Sequence, residues 1–208
     1  MSDSIAVYLN SFPGLYWQTA KPGEESRVQE DKALSARLKK RDPEAWAILY
    51  DRYCSRVYRY IVLRVQNQTE AEDLTEQVFL KALESGPSFR WRGAPVSSWL
   101  FRIARNLIID YWRTDKSKKT VPLDNLNLRD TVDPAEMAEL KSDTRQLIQA
   151  VTLLTQAQRD VIELRFAAGL STAETAKVLG KSQGAVKVMQ HSALAALRKR
   201  LSEWSEHE

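Results

Sequence analysis

Cysteine and histidine are both scarce in this chain of 208 residues. Cys54 is the single cysteine, which excludes an internal disulfide and is typical of a reducing compartment. His191 and His207 are the only histidines, too few to assemble a zinc site. We therefore expect no metal and no other cofactor.

Long apolar runs and catalytic patterns are also missing. The N-terminal residues have neither a basic start nor an apolar run long enough for a signal peptide or a membrane span. No carboxylate pair, nucleophile-base pair or phosphate-binding loop stands out, and Asp110 near Asn106 is better explained as polar helix surface. We expect a cytoplasmic protein without a membrane span, and an enzyme is the least favoured class.

The charge of the chain is small in sum and uneven in distribution. There are 31 Lys and Arg against 27 Asp and Glu, a net charge of +4. Residues 121–143 form an acidic connector with six acidic and two basic side chains. Pro122 and Pro134 make this connector resemble a flexible tether. The patterns on either side of it predict an all-α protein with two small helical domains joined by a flexible linker.

Residues 151–201 carry the local signals of three consecutive helices. Two capping boxes predict helix starts, at Thr155 with Gln158 and at Ser171 with Glu174. Glycines stand where the first two helices must end, at Gly169 and Gly180. The short turn at 180–181 predicts a helix-turn-helix, although an ordinary antiparallel helical hairpin would have a similar pattern.

The third of these helices, which Ser182 can cap, has two contrasting faces. Its apolar stripe, which we expect to be buried, consists of Val186, Met189, Ala193, Leu197 and Leu201. The opposite face is small and polar with basic edges, so it suits an approach to bases while the cations meet phosphates. The candidate DNA-binding residues of this helix are Ser182, Gln183, Gly184, Lys187, Val188, His191, Ser192 and Arg198.

The first half of the chain is predicted to be helical as well. Asp42 and Pro43 are a capping residue and a proline at the first helical position. A stripe of core residues is expected to follow, namely Trp46, Leu49, Tyr50, Tyr53, Val57, Tyr60 and Ile61.

The next helix is apolar on two sides. We expect it to start at Thr69, in a capping box with Glu72. Its inward stripe is Ala71, Leu74, Val78 and Ala82, and Phe79, Leu80 and Leu83 lie opposite. Such a helix is either buried twice in its own domain or docked on a partner, and the small size of the chain favours the partner.

A loop that alternates aromatic and cationic residues precedes a further helix. That helix is predicted to be capped by Ser97 or Ser98 and to bury Leu100, Ile103, Ala104, Leu107, Ile108 and Tyr111. Aromatic residues bracketed by arginines suit unpaired bases, although a surface loop with one anchoring tryptophan is the alternative. The nucleic-acid candidates of the loop and helix are Phe89, Arg90, Trp91, Arg92, Arg102, Arg105, Asn106 and Arg113.

Three segments resemble the conserved regions of bacterial extracytoplasmic-function (ECF, group 4) sigma factors of the sigma-70 family. They are AEDLTEQVFLKAL, SSWLFRIARNLIIDYWR and the C-terminal segment that begins LTQAQRDVIELRF. They occur in the order and at the separation found in the family, and the resemblance covers roughly residues 28–203. It implies a sigma factor that binds core RNA polymerase, directs it to specific promoters and helps to melt the minus-10 region.

The resemblance also implies a division of labour along the chain. Residues 1–27 are an N-terminal extension, 28–115 bind core polymerase and the minus-10 element, 116–140 are a linker, and 141–208 bind the minus-35 element. The loop before Trp99 would hold a flipped promoter base. An anti-sigma factor is a further implied partner. The residues expected to meet the clamp helices of the largest polymerase subunit are Glu72, Asp73, Glu76, Gln77, Phe79, Leu80 and Leu83.

Two departures from the family pattern affect these expectations. Family members commonly carry arginines where this chain has Met189 and Ser192, so we expect weaker phosphate binding there. Residues 1–27 have no counterpart in the minimal pattern. The main alternative from another class is a dimeric helix-turn-helix repressor or activator that acts without polymerase, with a symmetric interface and a palindromic site.

Overall fold

The computed structural model describes residues 24–88, 94–114, 147 and 149–205, and the regular elements in these ranges are helical. This confirms the predicted all-α class. The N-terminal domain contains α1 (Glu24–Lys39), α2 (Pro43–Val65), α3 (Gln68–Ser85) and α4 (Val96–Thr114). The C-terminal domain contains α5 (Gln156–Ile162), α6 (Thr172–Leu179) and α7 (Gln183–Ser205), with a π-helical turn at Glu163–Ala167 between α5 and α6.

The start of α2 follows the sequence signal, whereas the start of α3 does not. One carboxylate oxygen of Asp42 accepts from the backbone N–H of Glu44 at 3.0 Å, ahead of Pro43 at the first position of α2. The predicted capping box at Thr69 is wrong, because Asn67 caps α3 and accepts from the backbone N–H of Glu70 at 3.1 Å. Asparagine caps a helix as well as threonine does. Asn67 stands two residues before Thr69, so the helix begins earlier than predicted.

The core of the N-terminal domain lies between α2, α3 and α4. The rings of Tyr60 and Phe101, both fully buried, meet edge to face with centroids 5.8 Å apart. A short 3₁₀ turn after α3 brings the backbone against Trp46, where a Cβ on Gly86 would lie 2.6 Å from Cζ2 of the indole ring. Glycine is therefore required at position 86 by close packing.

Most of the predicted core stripes are buried, with corrections on α2 and α4. Tyr50 is not a core residue, since 51% of it is exposed. Ser97 and Ser98 do not cap α4, because the helix already begins at Val96 and both serines are buried inside it. Phe101, which the predicted stripe omitted, is fully buried.

The C-terminal domain has the three capped helices that the sequence predicts. Both capping boxes are formed, at Thr155 and Ser171. Ser182 Oγ accepts from the backbone N–H of Ala185 at 3.1 Å. Gly169 and Gly180 adopt positive φ of 64° and 63°, as expected at helix ends. A small apolar cluster joins α5 to α7 and contains Ala150, Leu154, Ile162, Ala193 and Leu197.

The two domains pack against each other, an arrangement that the sequence did not predict. Four C-terminal residues, Leu164, Ala168, Leu170 and Val178, are part of the same apolar cluster as the N-terminal core. The proposed linker at 116–140 and residues 1–23 of the N-terminal extension lie outside the described residues. Within the described ranges, no helix has the length and apolarity needed to cross a bilayer.

Candidate nucleic-acid and polymerase interfaces

Helix α7 presents the predicted DNA-binding face to solvent. Val186, Ala193 and Leu197 hold the helix to its domain and are buried. The side opposite this stripe is open, and Val188 in its middle is 70% exposed. The other candidates on α7 and its cap are exposed as well, namely Ser182, Gln183, Gly184, Lys187, His191, Ser192 and Arg198. The arrangement leaves a polar face with one unpacked apolar side chain.

Two side chains outside α7 hold residues of this helix in place. Gln158 Nε2 donates to Ser192 Oγ at 2.9 Å, so the residue that closes the capping box of α5 with Thr155 also orients a candidate DNA contact. Arg165 Nε, in the π-helical turn, donates to Gln190 Oε1 at 3.0 Å. The sequence predicts neither hydrogen bond, because the residues next to Gln158 and Arg165 along the chain do not identify a partner on α7.

A second exposed surface combines α3 with part of α2. Leu80 and Leu83 are 50% and 43% exposed, as predicted for the outer side of α3. Phe79 is half-buried, and its ring packs against Tyr50 with centroids 4.9 Å apart. We call Tyr50, Phe79, Leu80 and Leu83 the α2–α3 patch. The polar candidates on α3, all exposed, are Glu72, Asp73, Glu76 and Gln77.

The α2–α3 patch is apolar, and acidic side chains of α3 lie beside it. The Tyr50 hydroxyl interacts with Cys54 through a hydrogen bond that raises the pKa of the phenol, and the charges of Asp51 and Glu76 raise it further. Tyr50 is therefore a neutral phenol near neutral pH. An apolar surface with a negative border fits a partner with apolar side chains and basic residues around them.

The candidate residues on α4 differ in their surroundings. Arg102 and Asn106 are exposed, and Arg113 forms an exposed ion pair of 3.2 Å with Asp110. Arg105 is half-buried, and its Nη2 lies 3.0 Å from Asp160 Oδ2 on α5. Ile109 and Trp112 are each 41% exposed on this helix. The four loop candidates Phe89, Arg90, Trp91 and Arg92 lie outside the described residues.

A buried ion cluster joins α2 to the C-terminal domain. The Arg64 guanidinium on α2 bonds to Asp160 and to Glu163, and the three side chains are 5%, 5% and 1% exposed. Burial raises the pKa of Glu163 to about 8 even though Arg64 acts in the opposite direction. No local pattern predicts this cluster, because each of these charged residues would also suit a solvated helix surface.

Further polar bonds surround the ion cluster. Arg56 donates to the backbone carbonyls of Ala168 and Gly169, at 2.8 and 3.1 Å. Ser97 Oγ donates to Glu174 Oε1 at 2.5 Å, and Arg102 Nη2 donates to the Lys177 carbonyl, also at 2.5 Å. We call the ion cluster and these bonds together the interdomain contact.

Glu174 has two tasks within the interdomain contact. It closes the capping box of α6 with Ser171 and accepts from Ser97 on α4. Burial raises the pKa of Glu174, but the hydrogen bonds from Ser171 and Ser97 outweigh burial and hold this pKa below its usual range. The carboxylate therefore stays ionised near neutral pH and ties the first helix of the helix-turn-helix to α4.

Comparison with known proteins gives the family. The family models Sigma-70 region 2 and Sigma-70, region 4 match residues 49–118 and 150–199. The ECF RNA polymerase sigma factor BldN of Streptomyces coelicolor is 36% identical over 183 residues, which are 87% of this chain and 69% of that protein. The ECF RNA polymerase sigma factor SigX of Bacillus subtilis is 34% identical over 164 residues, 76% of this chain and 84% of that protein.

A solved structure agrees with these relatives. CnrH in complex with the cytosolic domain of CnrY has a TM-score of 0.63 and 25% identity, and covers 83% of this chain and 97% of that chain. The fold, with two helical domains and a helix-turn-helix, is that of the sigma-70 family, and the chain belongs to its ECF sigma factors. It binds RNA polymerase and makes initiation promoter-specific, and the alternative of a dimeric repressor is not favoured.

Proposed function

We propose that three surfaces of this sigma factor divide the work of initiation. The outer face of α7 reads the minus-35 element, and the α2–α3 patch with its acidic border binds the clamp helices of the largest polymerase subunit. Helix α4 and the loop before it bind the minus-10 element and hold an unpaired base. The observation that carries the proposal is the exposed polar face of α7, with Val188 unpacked at its centre.

Both DNA-binding surfaces are weak by themselves. The chain has a net charge of only +4, and residues 27–115 carry 16 Lys and Arg against 12 Asp and Glu. Phosphate neutralisation supplies most of the affinity for DNA, so neither surface has the charge for tight binding alone. Docking on polymerase fixes both surfaces relative to the promoter and raises their effective concentration. Promoter selection then depends on the polymerase as much as on the chain.

The domain limits are part of the same proposal. Residues 28–115 form the polymerase and minus-10 domain, 141–208 form the minus-35 domain, and 116–140 form an acidic linker that imitates nucleic acid in the RNA channel of the polymerase. Residues 1–27 are an extension to the minimal family pattern. The protein acts in the cytoplasm, where polymerase acts, without catalysing a reaction itself, and an anti-sigma factor regulates it.

Run-off transcription tests this function directly. Purified core polymerase is mixed with genomic DNA fragments, with and without the chain, and the transcripts are mapped. We expect transcripts with defined start sites only when the chain is present. If no promoter-specific transcript is made, and the chain alone protects palindromic sites as a dimer in footprinting and sedimentation, the polymerase role is wrong and the repressor alternative holds.

A further inference from the structure

A series of hydrogen bonds runs from the start of α5 to the outer face of α7. Gln158 Oε1 accepts from the backbone N–H of Thr155 at 3.1 Å and from the Thr155 hydroxyl at 3.0 Å. A backbone N–H can only donate, so the oxygen of the Gln158 amide lies on this side and its nitrogen on the other. Nε2 then donates to Ser192 Oγ at 2.9 Å. The capping box of α5 therefore fixes the direction of the bond to Ser192.

The bond from Gln158 leaves the Ser192 hydroxyl as a donor. One lone pair of the hydroxyl oxygen holds the amide N–H, and among the described residues no acceptor takes the hydroxyl proton. Accepting a second N–H from DNA would leave this proton without a partner in a groove that excludes water, whereas donating to DNA satisfies it. Accepting from Gln158 also polarises the O–H bond and strengthens it as a donor.

The position of Ser192 directs this donor toward a base. Ser192 is exposed and stands four residues after Val188, so the two side chains are neighbours on the outer face of α7. In the major groove guanine presents only acceptors, at N7 and O6, and cytosine presents only the donor of its amino group. A hydroxyl held as a donor therefore favours guanine and disfavours cytosine.

The bond between Gln158 and Ser192 is not needed to hold α5 against α7. Both side chains are exposed, and water can replace each partner of an exposed neutral hydrogen bond, so the bond adds little stability. The two helices are already joined by the apolar cluster that contains Ala150, Leu154, Ile162, Ala193 and Leu197. The main consequence of the bond is the orientation of the Ser192 hydroxyl.

We propose that Ser192 reads one base pair of the minus-35 element as a hydrogen-bond donor, and that Gln158 sets this polarity without touching DNA itself. The inference rests on the proposed function, because it takes α7 as the helix that reads the minus-35 element. It adds the kind of base edge that Ser192 selects, an acceptor, and it makes Gln158 a positioning residue for promoter recognition.

Gln158→Glu tests the polarity. Glutamate also closes a capping box, so the start of α5 is kept. One oxygen of the new carboxylate accepts from Thr155, and the other can only accept from Ser192, whose proton then turns away from DNA. The hydroxyl is left with lone pairs alone on the DNA side. We expect the wild type to favour guanine over cytosine about fivefold at one base pair, and Gln158→Glu to reverse this order.

Relative affinities measured on holoenzyme give this order. Each base pair of the minus-35 element in a promoter mapped by run-off transcription is replaced in turn by the other three. Holoenzyme binds the mixed fragments, and sequencing of the bound and free fractions gives the ratios. Ratios are compared within one variant, so a uniform effect of the added negative charge cancels. Thermal melting checks that each variant is folded.

Three further variants isolate the contribution of the hydroxyl. Ser192→Ala should remove the preference at this base pair and leave the ratios at the other base pairs unchanged. Gln158→Glu combined with Ser192→Ala should show no reversal, because the hydroxyl that changes polarity is gone. Gln149→Glu adds the same charge at an exposed position of the C-terminal domain outside α7, and it should keep the wild-type order.

Several outcomes would overturn the inference. Ratios unchanged in Ser192→Ala, or affinity lowered equally on all sequences as for a phosphate contact, would mean that Ser192 reads no base. A preference that Ser192→Ala removes and Gln158→Glu leaves unaltered would show that Gln158 does not set the polarity. A cytosine preference that persists in the double variant would assign it to the new carboxylate. The proposed function stands in these cases, and it fails, together with the inference, if wild-type holoenzyme binds all minus-35 variants equally.

Discussion

Glu163 is a buried carboxyl group whose raised pKa couples the interdomain contact to pH. Its side chain is 1% exposed and its pKa is about 8, raised by burial from an ordinary value of 4.5. The folded chain therefore binds the proton more tightly than the unfolded chain, in which Glu163 meets water. The contribution of Glu163 to the free energy of unfolding is complete below about pH 4.5 and is lost as the pH rises to about 8.

We predict that alkaline pH destabilises the fold through Glu163. Between pH 6 and pH 8 the free energy of unfolding should fall by up to about 1.4 kcal/mol for each pH unit, measured by denaturant unfolding. Glu163→Gln should remove this dependence. An equal dependence in the Gln variant would assign the effect to another group. The groups that act on or pair around Glu163 are Tyr60 and Arg64 on α2, Arg105 on α4, and Arg159 and Asp160 on α5.

Val188 is the residue from which we expect direct base recognition. It is 70% exposed on a polar face, and a branched apolar side chain fits the methyl group of thymine in the major groove. Val188→Ser should change the preference at one upstream base pair by about 1 to 3 kcal/mol, measured by competition between minus-35 variants in holoenzyme binding. An equal loss on every upstream sequence would mean that Val188 does not read a base.

At the scale of the element, α3 has a buried side and an exposed apolar side. Val78 is fully buried on its inner side, and Leu83 is 43% exposed on its outer side. We predict that Leu83→Asp changes the free energy of unfolding by less than about 0.5 kcal/mol and weakens core polymerase binding by about 2 kcal/mol. Thermal melting and fluorescence titration with core polymerase measure the two effects.

Val78→Asp is the matched control for this prediction. The same carboxylate placed on the inner side of α3 would be buried without a partner, so this variant should unfold. A Leu83→Asp chain that unfolds like Val78→Asp would place Leu83 in the core and remove it from the polymerase surface.

Helix limits followed from the capping boxes at Thr155 and Ser171, but not from the one predicted at Thr69. The boxes at Thr155 and Ser171 formed because each needs only residues within one turn. The predicted burial of Tyr50 was wrong because burial depends on residues that are distant along the chain. Its periodicity fits the core stripe of α2, but its ring lies at the edge of that stripe and packs on Phe79 outside the core. Periodicity gives the direction of a side chain and not the extent of the surface that covers it.

At the scale of the whole molecule, we predict that the loop before α4 acts after the duplex opens. Stacking on Trp91 can contribute about 1 to 3 kcal/mol per base only when a base is unpaired. Trp91→Ala should reduce open-complex formation on an intact promoter, and a template with pre-melted mismatches should partly restore it. Permanganate reactivity of unpaired thymines measures the opening.

Arg102→Ala is the comparison for the loop variant. Loss of a phosphate contact should weaken binding on both templates and in a salt-sensitive manner, since the contact does not depend on strand separation. Undiminished permanganate reactivity in Trp91→Ala, at matched polymerase occupancy, would remove the loop from the melting step.

Local sequence was sufficient to predict the helices, the caps at Asp42, Thr155 and Ser171, the exposed face of α7 and the two-sided character of α3. These features depend on residues within a few positions of one another. The meeting of the domains through Arg64, Asp160 and Glu163 follows only from the packed structure, because the partners are 96 and 99 positions apart along the chain. A charged residue has the same local pattern whether it faces water or a distant opposite charge. Burial of this cluster is therefore a property of the packed domains and cannot be read from any one helix.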